Sequence, residues 1–135
     1  MNVMGPTFEP DYTEKYHMLL LASRVISDAL AALLLVRSGR RGHPKVGNTL
    51  KEIKDATREL AESKDAPAGR LAHAFLQVLD KREMGELLLR FNQLQKILEG
   101  SEEVDEETYK HISNYLITLA EKLHPLIPLY AVSLW

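Results

Sequence analysis

The segment 37–48, RSGRRGHPKVGN, gathers Arg37, Arg40, Arg41, His43 and Lys45 with three glycines, and no acidic residue occurs between Asp28 and Glu52. Cations beside glycines suit phosphate: guanidinium and ammonium groups neutralise it, and backbone amides approach it where a side chain is missing. Asn48 and Thr49 read as the start of a helix whose positive end also favours anions. The segment is therefore a candidate contact for RNA, DNA or a phosphorylated ligand. No aromatic residue is interleaved for base stacking, so such binding would be sensitive to salt and indifferent to sequence. The competing reading places Arg37, Arg40 and Arg41 against the negative end of the preceding helix.

Arg37 and His43 stand six positions apart, a spacing that resembles the Arg-x4-6-His signature of helical ribonucleases of the HEPN class. The resemblance covers this one short pattern. It implies His43 as acid or base at a ribose hydroxyl and Arg37 as the partner of the phosphate. In that class the motif is held by helix, whereas Gly39, Gly42 and Pro44 point to a loop.

A second constellation is a pair of Glu-x-x-His motifs, Glu14 with His17 and Glu121 with His124. Residues three apart share a helix face, and carboxylate sites for paired metals in four-helix bundles use two such motifs with one Glu from each of two further helices. Glu52, Glu59, Glu83 and Glu86 are the nominees for the added carboxylates. In a bundle of five helices, however, the first helix begins and the last one ends at opposite ends. A solvated role for all four residues is expected, with no metal and no cofactor.

The rest of the chain supports little chemistry. His73 and His111 have no acid or nucleophile at a telling spacing, and no phosphate-loop, dinucleotide or nucleophile-elbow fingerprint occurs. The chain has no cysteine, which excludes a disulfide framework and a thiol nucleophile and fits a reducing compartment. Seventeen Lys and Arg against nineteen Asp and Glu leave a net charge of −2, so the surface as a whole is not built for nucleic acid or anionic lipid. The N-terminus lacks a basic start followed by an apolar run, and Arg24 and Asp28 interrupt the apolar stretch from Met18 to Val36. A non-enzymatic cytoplasmic protein is expected.

Five helical segments would carry these residues, and at 135 residues they form one domain. The expected architecture is all-α, an antiparallel bundle of four to five helices with a long central first helix. Residues 1–11 read as an N-terminal arm, 37–48 as the basic loop and 124–135 as an apolar tail. Capping boxes at Asp11 with Glu14, Thr49 with Glu52 and Asp80 with Glu83 mark helix starts. The first helix runs from about 12 to Arg37, with Tyr16, Leu19, Leu20, Ala22, Val25, Ile26, Ala29, Leu30, Leu33, Leu34 and Val36 inward. Glu14, His17, Arg24 and Asp28 fall on its wet side, interrupted by Leu21 and Leu35, which hint at a partner. The second helix, about 50–62, is narrow-striped, and a short third carries Leu71, Phe75, Val78 and Leu79. A fourth occupies about 81–99 before Gly100, and a fifth about 106–123.

From Leu123 onward the chain reads LHPLIPLYAVSLW, without one acidic or basic side chain apart from His124. Leu126, Leu129, Tyr130, Leu134 and Trp135 supply the aliphatic and aromatic anchors typical of interfaces, and such a tail needs cover from the chain's own core or from another protein. The expected role is a helical assembly or adaptor subunit that self-associates or docks in a larger complex. A nucleic-acid-binding accessory subunit using the basic loop stands second, and a metal-dependent helical-bundle enzyme third.

Overall fold

The computed structural model describes residues 12–63 and 69–126. It is all-α, with α1 at Tyr12–Arg37, α2 at Pro44–Glu62, α3 at Arg70–Phe75, α4 at Lys81–Glu99 and α5 at Glu106–Leu123, followed by a 3₁₀ turn at His124–Leu126. No strand occurs among the described residues. The N-terminal arm 1–11, with the expected cap Asp11, and the apolar tail from 127 to 135 lie outside the described residues.

Two long-range contacts set the direction of the helices. Arg41, in the turn after α1, donates to the carbonyl of Leu98 near the end of α4 at 3.1 Å, so α1 and α4 finish at one end. Lys122, near the end of α5, pairs with Glu83 in the first turn of α4 at 2.7 Å, so α5 finishes where α4 begins. The four long helices therefore alternate in direction, and α3 is a short crosspiece at the end where α1 starts. α1 packs against α2, α3 and α5, and α2 against α4.

Three alanines of α1, Ala22, Ala29 and Ala32, are fully buried beside Ile26 and Leu33. Small side chains let neighbouring helices approach its axis, and larger ones from α4 and α5 fill the remaining space. Phe75 of α3 meets Phe91 of α4 edge to face, with ring centroids 6.3 Å apart, which ties the crosspiece to the core. α1 is long and apolar enough to cross a membrane by length and composition, yet half of that stretch is buried within the fold. Its width of apolar surface is accounted for by several helical neighbours.

Three helix boundaries follow their local signals. Asp80 and Glu83 form both halves of the expected capping box, with Glu83 N–H donating to Asp80 Oδ1 at 2.8 Å and Asp80 N–H to Glu83 Oε1 at 3.1 Å. Gly100 ends α4 at φ 93°, a left-handed conformation that glycine adopts without a steric penalty. Asp105 caps α5 by accepting from Thr108 N–H at 2.7 Å.

The start of α2 corrects the sequence expectation. The helix opens at Pro44, six residues before Leu50, with His43 as its cap: Nδ1 accepts from Lys45 N–H at 3.0 Å. Proline has no donor to lose in a first turn, and Gly47 costs about 1 kcal/mol relative to alanine in a helix. Burial of Val46 and Thr49, which extend the stripe of Ile53, Ala56 and Leu60, offsets that cost. Thr49 and Glu52 are thus interior to the helix and cap nothing.

Leu34 and Leu35 exchange their expected places. Leu34 is 53% exposed, while Leu35 is half-buried against the core. Leu35 lies one helical repeat beyond Asp28, on the line taken as wet. α2 covers that line in its upper half.

Candidate functional site

Three of the five residues of the basic segment are engaged within the fold. Arg41 donates to the carbonyls of Ile97 and Leu98 and lies beside Gly100, so its charge closes the end of α4. Lys45 Nζ sits 2.6 Å from Asp28 Oδ1 on α1, and His43 has given Nδ1 to the α2 cap. Arg37, the last residue of α1, lies near Asp105, whose carboxyl is held low first by the Thr108 backbone hydrogen bond, with the Arg37 charge adding to it. Arg40 is exposed; its backbone N–H donates to the Leu35 carbonyl at 2.7 Å, and its side chain has no ion pair among the described residues. The spacing of Arg37 and His43 spans a turn between two helices, and at His43 the ring serves the backbone.

Because the long helices alternate, both Glu-x-x-His motifs lie at the same end of the bundle, which corrects the expectation of opposite ends. α3 contributes the extra count without reversing the order. The motifs still do not converge. Glu14 pairs with Arg70 at 2.7 Å, and His17, Glu121 and His124 are exposed. Among the nominated carboxylates, Glu59 Oε1 accepts from Leu71 N–H at 3.1 Å and Ala72 N–H at 3.4 Å and so caps α3. Glu83 serves α4 and Lys122, and that lysine is the main cause of its lowered pKa. Glu86 is exposed. No group of three His, Asp or Glu side chains able to hold a metal occurs among the described residues.

The polar cluster that tertiary structure does assemble lies on the α1–α2 seam. Asp28, only 15% exposed in its side chain, receives Lys45 at 2.6 Å and Arg24 Nε at 3.7 Å. Glu52 of α2 is half-buried on the same seam, and its pKa is raised to about 7, first by burial and then by the Asp28 charge. Arg24 with Asp28 was legible as a pair one turn apart. Lys45 and Glu52 were not, because their helix was expected to begin too late and to spend Glu52 on a cap.

On the opposite side of the bundle, α4 and α5 meet through long side chains. Arg90 lies over the Tyr115 ring at 5.8 Å. Burial, with Glu86 adding its charge, pushes the Tyr115 hydroxyl up to about 12.

Apolar surface is the remaining feature. Leu89 is 64% exposed and Ile117 45%, neither of them singled out by sequence, and Leu21 and Leu126 are exposed as well. Leu126 also borders a concavity of about 200 Å³ at the end of the bundle, with Tyr16, Met18, Leu19 and Ala74 in its wall and Lys15 and His73 at its polar margin. Leu129, Tyr130, Leu134 and Trp135 lie outside the described residues. The chain matches no family model, no curated protein and no solved structure.

Proposed function

We propose that this chain is a non-catalytic helical assembly subunit that contacts a partner, a second copy or a larger complex, through the end of the bundle where α1 begins and α5 finishes. The observation that carries this reading is Leu126: it is exposed, it borders the apolar concavity beside Tyr16 and Leu19, and the sequence continues from it into IPLYAVSLW, nine residues without a charge. Interfaces of this kind draw their energy from a few aromatic and aliphatic anchors. The competing roles receive less support. Arg41, Lys45 and His43 are engaged within the fold, and the Glu-x-x-His residues have separate surroundings.

Native mass by light scattering tests the reading. Full-length protein is expected to be a defined oligomer, and a chain ending at His124 a folded monomer. Two monomers, with the shorter one merely less stable, would remove self-assembly through this segment.

A further inference from the structure

We propose, resting on the assembly reading above, that the concavity at the end of the bundle is a socket for Trp135 of a second copy, so that two chains meet end to end and each seats its tryptophan in the other. Size selects the kind of occupant. The hollow measures about 200 Å³, below the range of about 300–1,000 Å³ usual for cofactors and other small molecules, whereas a dry cavity of about 150 Å³ already takes one benzene ring. A single aromatic side chain therefore suits it. Tyr16, Leu19 and Ala74 offer apolar wall, and Gln77, also in the lining, carries an amide oxygen that can accept from an indole N–H.

Reach and symmetry select its source. Nine residues follow Leu126, which borders the hollow and is 40% exposed. Extended, nine residues span at most about 30 Å and four about 13 Å, so Trp135 can cross between two facing bundle ends where Tyr130 has little slack. Each copy carries its socket at the end from which its tail departs, and a two-fold interface requires one patch to hold both halves of the contact. The nine residues carry no charge, so no ion has to leave water when they are covered. Tryptophan is also among the side chains that dominate interface energy.

Trp135 is the only tryptophan in the chain, so its fluorescence reports on the socket in full-length protein. Emission should move to shorter wavelength as concentration rises through the range in which light scattering shows dimers forming. Trp135→Ala and Tyr16→Glu should each raise the dimer dissociation constant by at least about thirtyfold, the loss expected of an anchor contact. Mixing the two variants should restore dimers, because Y16E keeps an intact anchor and W135A an intact socket. Leu126→Glu, on the exposed rim, takes the place of Y16E if that variant fails to fold. An oligomer that survives W135A or the socket variant would overturn the socket and leave the assembly reading standing. A full-length chain that stays monomeric would end self-assembly and the socket together. Short-wavelength emission that is independent of concentration and lost in the socket variant would put Trp135 in the hollow of its own chain and overturn the second copy.

Discussion

Gly69 shows how much one side chain can be asked to leave room for. A Cβ at this position would overlap the Glu59 carboxylate, which sits there to receive the Leu71 and Ala72 amides. Its φ of −171° is ordinary extended backbone, so the requirement is space alone. Gly69→Ala should therefore push Glu59 away from the start of α3 and cost about 1 kcal/mol, the usual worth of a helix cap. Thermal unfolding of G69A, E59Q and the double variant checks this. The two single losses should overlap in the double variant, because both remove one interaction. Neither residue could be assigned this role from sequence: Glu59 reads as a surface position on a charged helix, and its partner amides lie twelve and thirteen positions away.

At the scale of the element, helix ends carry the information. α4 was legible at both termini because its signals are local: a box over Asp80 and Glu83, and Gly100 in a left-handed cap. α2 was not, since its first turn depends on a histidine cap and on Val46 finding a core to enter. His43→Ala should lower stability by about 1 kcal/mol and speed amide exchange of Lys45, leaving the second half of α2 unchanged. A second element-scale prediction concerns Arg41, which satisfies carbonyls that α4 leaves open. Arg41→Ala should cost about 1–2 kcal/mol in urea unfolding, with faster exchange near Gly100. A lysine there should recover only part of the loss, because a single ammonium reproduces less of the planar guanidinium fork.

For the whole molecule, the engagement of Arg41, His43 and Lys45 leaves Arg37 and Arg40 as the cations of the basic segment whose side chains are not tied to another helix by a hydrogen bond or ion pair among the described residues. A fold-scale consequence is that Arg37→Glu with Arg40→Glu should leave the folded mass and melting temperature nearly unchanged. Retention on immobilised polynucleotide at low salt should be weak before and after the change. Strong wild-type retention lost in the double variant would put nucleic-acid binding ahead of the assembly role. The core makes the complementary prediction. Phe91, fully buried against Phe75, should cost about 3–5 kcal/mol on replacement by alanine, read as a drop in the urea midpoint.

What the sequence alone determined is whatever depends on neighbours a few positions away. Helical class, the spans of α1, α4 and α5, the Asp80 box, the Gly100 cap and the Arg24–Asp28 pair follow from periodicity of 3.6 and from backbone donors that must be met locally, whereas α3 ends at Phe75, short of the expected Val78 and Leu79. Tertiary structure decided what depends on distant partners. It turned Arg41 to the end of α4, drew Lys45 and Glu52 to Asp28, covered Leu35 while leaving Leu34 in water, and brought two Glu-x-x-His motifs to one end without making them converge. The physical reason is that charge and apolarity state what a side chain needs, while several parts of the fold could meet that need. Only packing selects among them.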